Sequence, residues 1–368
     1  ISITSTGIMT GDPISVAAVA GVATYSAVVH TVAGTGYNLT ATSGSLTSAT
    51  SGNFDINTIV YNTGDYRSVA NGNWLNGGAS TLWERYNNPS PGWNAGVNAP
   101  RYNTTNTVYI SNGTTITSGG SFGNGVNLKI MGGGTFNANH PATTNSIYIY
   151  DGGILNLNAA MQNNNAFEIE DNGILNINNL SNNNSAIWDG TEIFHPNSTV
   201  NIYEWGANHT TTAYRPVFNG TNISTNTYNG YTAAFGNLEI DLSASSEDNT
   251  LYLISSGVTA NLAHKNITFI NPSTATNRNI AVLNNGTATS GIGGDFIVDN
   301  AYSPTRKIVF ANSGNLDFTI KGNMLLDAAT TVVGTSSTAG TNTYVNIDGN
   351  IDVNSSAVLD FSTTSAGG

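Results

Sequence analysis

Two stretches of this chain, twenty residues apart, carry almost the same phrase: IYIYDGGILNLNAA from Ile147 to Ala160 and FEIEDNGILNINNL from Phe167 to Leu180. Each is a short run of alternating apolar residues, a turn holding an acid and a glycine, and a second alternating run. Alternation with period two marks a strand with one buried face. A unit of two short strands cannot bury that face alone, so a chain that repeats it must stack the copies on one another.

More copies lie on either side. Ile130-Met131-Gly132-Gly133-Gly134 followed by TFNAN comes 19 positions before the first phrase, and STVNIY (Ser198 to Tyr203) echoes GILNIN 25 positions after it. A second phrase recurs downstream as IGGDFIV at Ile292, IKGNMLL at Ile320 and IDGNIDV at Ile347, spaced 28 and 27 apart, with HKNITFI (His264 to Ile270) as a looser copy. The period is too small for propeller blades, and no helical pattern interrupts it. A parallel β-helix over residues 106–368 is expected, with two or three strands per coil. Alternation turns Ile147, Ile149, Leu155 and Leu157 inward, with Phe167, Ile169, Leu175 and Ile177 stacked on them.

Residues 14–57 alternate apolar and small polar positions between turns, the pattern of antiparallel strands in a sandwich. A complete immunoglobulin-like sandwich needs about seven strands, and only four or five are written here. The segment 58–105 is aromatic instead: Trp74, Trp83 and Trp93 fall within twenty residues. The expected architecture is all-β, a partial Ig-like β-sandwich (1–57), an aromatic cap or linker (58–105), and a capped right-handed parallel β-helix. The chain opens at Ile1 and closes in TTSAGG, after an inward pattern at Val358 and Phe361. It reads as part of something longer.

Charged residues make up only 9% of the chain, against roughly 25% in ordinary soluble proteins. The net charge is −12, and the ten Lys and Arg residues are scattered. Phosphate backbones require clustered positive charge, so nucleic acid is excluded and an anionic polysaccharide is disfavoured. The absence of cysteine removes disulfides, thiol catalysis and thiolate metal sites. No apolar run approaches the roughly 20 residues that span a bilayer, so no membrane insertion is expected.

Four candidate sites emerge. Asn137, Asn156, Asn176 and Asn201 hold the same place in successive phrases, as an asparagine ladder or a polar ligand row. Asp151 and Asp171 coincide after one coil, as solvated turn acids or a calcium pair. Tyr66, Trp74, Trp83 and Trp93, with Tyr86, form a plug over the end of the stack, a carbohydrate-stacking platform, or both. Glu168 and Glu170, with Asp189 and Glu192 shortly after, are the acids that a β-helical glycosidase would need. The five histidines (His30, His140, His195, His209 and His264) have no metal-ligand spacing, and no nucleophile or dinucleotide motif is present. Enzymatic activity is therefore not expected, and no cofactor beyond calcium.

GVATYSAVVHTVAGTGYNLTATSGSLTSATSGNFDI resembles the closing strands of bacterial Ig-like repeats in giant surface adhesins. The aromatic segment, with its Tyr-Arg-Ser, Gly-Asn-Trp and later Trp, is similar to the region preceding repetitive parts of secreted surface proteins of Bacteroidota. The resemblance implies an extracellular, type IX-secreted adhesin segment, in some relatives part of the filaments used in gliding motility. It would act as a stiff spacer or display rod between neighbouring domains, meeting surface glycans or other cell-surface material. A β-helical polysaccharide-degrading enzyme and a carbohydrate-binding module are the alternatives.

Overall fold

A computed structural model describes residues 1–25, 28–30, 32–56, 59–87, 92–121, 125–159, 161–178, 192–204, 217–218, 220, 223–243, 251–271, 280–283, 285–299, 307–311, 313–327, 331–335, 342–354 and 357–360. Among them every regular element is a β-strand. The chain divides into two compact units, Ile1–Tyr61 and Asn62–Gly368.

In the first unit, Ser2–Ser5 pairs with Ile14–Ser15 and Leu39–Thr42, and Ala49–Thr50 completes a four-stranded antiparallel sheet. Gly34–Tyr37 and Phe54–Ile56 form a separate antiparallel pair. The rings of His30, Tyr37 and Phe54 pack with centroids 5.2 to 6.3 Å apart. Burial is sparse: among the described residues of this unit only Ile3 and Met9 are buried apolar side chains, while Ile8, Val19, Val22, Val29 and Leu46 are exposed.

The second unit is a stack of parallel strands. The aromatic segment is continuous with it, because Tyr66–Ser68 and Gly72–Trp74 are the first parallel partners of Thr107–Ile110 and Thr115–Ser118. From there to residue 202, the proximal region, strands alternate between two sheets. One runs through Asn127–Ile130, Ala142–Ile149, Met161–Ile169 and Glu192–Phe194; the other through Thr135–Ala138, Ile154–Leu157, Ile174–Ile177 and Thr199–Ile202. Register follows the repeated phrases: Ile147 faces Phe167, Ile149 faces Ile169, Leu155 faces Leu175 and Leu157 faces Ile177. All eight side chains are buried. The opening interval is thus one step of the stack, at about 4.8 Å per strand.

Beyond residue 231, the distal region, each repeat adds a third strand. Leu251–Ile254, Ile280–Leu283, Lys307–Ala311, Thr331–Thr335 and Val358–Asp360 build a sheet with no proximal counterpart among the described residues. A second contains Tyr231–Phe235, Asn261–Ala263, Thr287–Ile292, Asn315–Ile320 and Thr343–Ile347, in which Ile292, Ile320 and Ile347 are register partners. Among the described residues only one sheet spans both regions, eleven strands from Gly72–Trp74 to Ile351–Val353. Three walls enclose more cross-section than two, and phenylalanine fills it. The Phe269, Phe296, Phe310 and Phe318 rings follow one another at 5.1 to 5.7 Å.

The glycine of the distal phrase has a steric cause. A Cβ on Gly322 would lie 2.6 Å from the carbonyl carbon of Gly294, and one on Gly349 would lie 2.4 Å from the carbonyl oxygen of Gly322. Backbones of successive repeats touch at this corner, so no side chain fits. At the last described step, Ile351 and Val353 stand in register with the buried Met324 and Leu326, yet are themselves exposed. Phe361 lies outside the described residues.

Candidate functional site

The asparagine row is a continuous hydrogen-bond ladder on the outer face of the eleven-stranded sheet. Asn156 donates its amide N–H to Asn137 Oδ1, Asn176 to Asn156 and Asn201 to Asn176, each at 2.7 Å. Asn137 starts the chain by donating to Thr117 Oγ1 at 3.3 Å. Two further ladders flank it: Asn178 to Asn158 to Asn139 at 2.8 and 2.6 Å, and Asn165 to Asn145 to Asn127 on the other sheet. The main ladder stops at Asn201, whose Oδ1 is buried with no hydrogen-bond partner among the described residues. Its register partner in the next strand is Glu239, whose carboxyl pKa is pushed up by burial.

The turn acids are engaged one at a time. Asn172, in the left-handed conformation that Asn tolerates, donates its side-chain amide to Asp151 Oδ1 at 3.1 Å. The backbone N–H of Asn197 donates to Asp171 Oδ1 at 2.9 Å. Calcium requires six to eight oxygen ligands, and no group of three or more His, Cys, Asp or Glu residues converges among the described residues.

The acids suited to glycosidase chemistry are split between faces. Glu168 and Glu170 lie outward on Met161–Ile169 and just beyond it. His195 Nε2 contacts Glu168 Oε1 at 2.9 Å, the hydrogen bond raising the histidine pKa. Tyr148 donates to Glu170 Oε1 at 2.7 Å, and burial together with this bond raises the phenol pKa. Glu192, opposite Phe167 in register, is instead buried on the inward side. Asp189 and His209 lie outside the described residues.

The four aromatic candidates also separate. Trp74 and Trp83 are completely buried, their ring centroids 5.1 Å apart, with Trp74 also edge-on to Phe136 at 6.1 Å. No sugar can reach either ring while the core is closed. Tyr66 and Trp93 are half-buried on opposite faces of the antiparallel strands Tyr66–Ser68, Trp83–Asn87 and Gly92–Asn94. Trp93 packs against Tyr86 at 5.3 Å and beneath the Arg67 guanidinium at 4.6 Å, while Arg67 pairs with Glu84 at 2.6 Å. Tyr66 lies under Arg85, 5.6 Å from ring centroid to guanidinium carbon.

Beside Tyr66 opens a cleft of about 710 Å³, whose walls include Arg85, Val97, Asn98, Arg101 and Thr104. Its far wall, residues 97–105, is pinned to the Trp74 segment. The Trp74 indole N–H donates to the Pro100 carbonyl at 2.6 Å, Tyr102 donates its hydroxyl to the Trp74 carbonyl at 2.6 Å, and Ala99 N–H bonds the Gly78 carbonyl at 2.8 Å. Burying the tryptophan therefore also fixes the cleft. Sequence spacing gave no sign of it, because the residues meet only through this folded-back loop. No family model matches the chain, nor does any curated protein or solved structure.

Proposed function

We propose that the chain is a structural and adhesive segment of a large bacterial cell-surface protein, a stiff spacer or display rod. The observation that supports this most is the eleven-stranded parallel sheet shared by both regions. At about 4.8 Å per step, such a sheet extends roughly 48 Å along the stack. In this reading Asn62–Gly368 is a right-handed parallel β-helix, since crossovers between parallel strands are right-handed in about 98% of cases. Ile1–Tyr61 is the closing part of an Ig-like module. Extracellular placement, type IX export and a part in gliding motility rest on the resemblance of residues 21–56 and of the aromatic segment from Tyr66 to surface adhesins.

Force spectroscopy on the whole chain, held at its ends, tests the rod. The second unit should stay folded at forces that extend the first, then lengthen in steps of one or a few repeats. Smooth extension of both units together at low force would count against it. The alternative, a polysaccharide-degrading enzyme, draws on Glu168 and Glu170 sharing an outer face. We expect no depolymerisation of polygalacturonate, alginate or xylan, and sustained release of reducing ends would favour the enzyme instead.

A further inference from the structure

We infer that the cleft between Tyr66 and the 97–105 loop is a binding site for an acidic sugar, a uronic acid unit of a glycan. Scattered along the sequence, the few cations of this chain give no reason to expect such a ligand. Folding brings two of them to one place. Arg85 and Arg101, sixteen positions apart, line the same cleft, and none of the described residues lining it is acidic.

The nearby acids are occupied. Asp65 is buried, its two oxygens accepting the backbone N–H groups of Asn62 and Thr107 at 2.7 and 3.0 Å. Glu84 is paired with Arg67. The contrast lies within one pair of strands: Arg67 faces Glu84 across the ladder and is neutralised, whereas Arg85 faces Tyr66. An aromatic face holds a guanidinium in place without using its N–H donors, which remain free to grip a carboxylate as a fork. Arg101 forms no ion pair among the described residues; its stem lies over Gly77, where an added Cβ would come 3.3 Å from Arg101 Cγ.

The remaining lining selects a sugar over a bare anion. Asn98, Asn103, Thr104 and Thr105 offer amides and hydroxyls for ring hydroxyls, while Val97 and Ala99 offer apolar surface for a ring face. The cleft volume falls within the range of about 300 to 1,000 Å³ typical of small-ligand sites. A second hollow of about 230 Å³, lined by Tyr86, Asn87 and Asn94, shares Arg85 and Val97 with the first, giving room for a neighbouring unit of a chain. The wall pinned by Trp74 and Tyr102 is formed before any ligand arrives, which reduces the ordering that binding must impose.

The choice of a glycan rests on the attachment role proposed above, but the two fail separately, since force reads the rod and titration reads the cleft. Calorimetric titration of the full chain with methyl β-D-glucuronide and methyl β-D-glucoside compares ligands differing only in the carboxylate. The glucuronide should bind at least about tenfold more tightly, the order expected for a charge-assisted hydrogen-bond pair. Arg85→Gln and Arg101→Gln should each weaken it about tenfold, and Arg85→Lys should restore only part of the loss because the fork is gone. Lys321→Gln, whose side chain pairs with Asp348 in the distal region, should change nothing. Arg85 and Arg101 are exposed, so these variants should keep the wild-type thermal midpoint. The assignment fails if the two glycosides bind alike or not at all, or if both arginine variants retain affinity. It fails equally if acetate or an aspartate-terminated peptide binds as tightly as the glucuronide.

Discussion

The proximal and distal regions stack strands in the same parallel fashion, yet they join one repeat to the next by different chemistry. Proximally, asparagine amides bond to each other in rows along the outer face. Distally, the acceptor side chains turn to the backbone: Asn266 Oδ1 accepts the N–H of Asp295 at 2.8 Å, Asp295 that of Asn323 at 2.6 Å, and Asn323 that of Asn350 at 2.9 Å. The difference follows from position. A side chain in mid-strand meets its own copy one step away, whereas a side chain at a corner meets the unpaired N–H groups of the next corner. Asparagine serves both, so its recurrence alone does not say which kind of contact it makes.

The largest effects should be those that treat the two regions alike. Trp83→Ala proximally and Phe296→Ala distally should each cost about 3 to 5 kcal/mol, since both empty a closed core. Denaturant unfolding followed by segment-resolved hydrogen exchange would place each loss. A Trp83 variant with an unchanged midpoint would remove the plug from the account. Glycines should then divide by the space around them, since proximal Gly132, like distal Gly322, has backbone too close for a Cβ, whereas Gly152 does not. Gly322→Ala forces a Cβ onto the preceding backbone and should cost about 3 kcal/mol, the upper part of the overpacking range. Gly152→Ala should cost about 1 to 2 kcal/mol for its left-handed backbone alone, since an added Cβ there approaches nothing nearer than 3.7 Å. Equal losses would show that the distal corner yields.

Much of this contrast was legible in the sequence and some was not. The inward residues followed from alternation, and the asparagine row at 137, 156, 176 and 201 from the aligned phrases. The same alignment carries the second row, at 139, 158 and 178, which reading for one residue per phrase passes over. The third row is harder to see, because its steps are 18 and 20 residues and a register shift lies between Thr144 and Ser146. The longer distal period did not reveal a third wall, since a turn and a short strand can hold the same residues. Glu192 was grouped with Glu168 and Glu170 by proximity in sequence, but its pairing opposite Phe167 turns it inward.

Ladder substitutions come next in size. Asn156→Ala removes a donor from Asn137 and an acceptor from Asn176, and should cost about 1 to 3 kcal/mol. Asn158→Ala, whose ladder bonds are solvent-exposed, should cost less, about 0.5 to 1.5 kcal/mol. If both are neutral by thermal unfolding, the ladders do not stabilise the proximal region. At the boundary, Glu239→Gln supplies an N–H opposite the unfilled Asn201 oxygen and should stabilise by about 1 kcal/mol. The pH dependence has a definite sign. Burial raises the folded pKa of Glu239, so ionisation destabilises the fold above that value, and the penalty fades as pH falls toward an unfolded value of about 4.3. The advantage of the Gln variant should therefore be greater at neutral pH than near pH 4.5, and a constant difference would refute it.

The smallest effect concerns His195. Its hydrogen bond to Glu168 raises the folded pKa, so its contribution is full below an unfolded value of about 6.5 and is lost as pH rises through the folded one. His195→Gln should lower the thermal midpoint more below that range than above it. Both partners are partly exposed, at 39% and 29%, and salt should diminish the difference.

The main asparagine ladder has a direction, and with it an unusual freedom of length. Every rung gives one N–H to the group before it, and every rung but Asn201 receives one from the rung after. Deleting residues 157–176 would set Asn201 upon Asn156, with Thr117 still the first acceptor and Asn201 still the last. Duplicating that stretch would leave the same two ends. A gene built this way can lose or gain a period by recombination without breaking this ladder. Its product then changes reach in increments of about 4.8 Å.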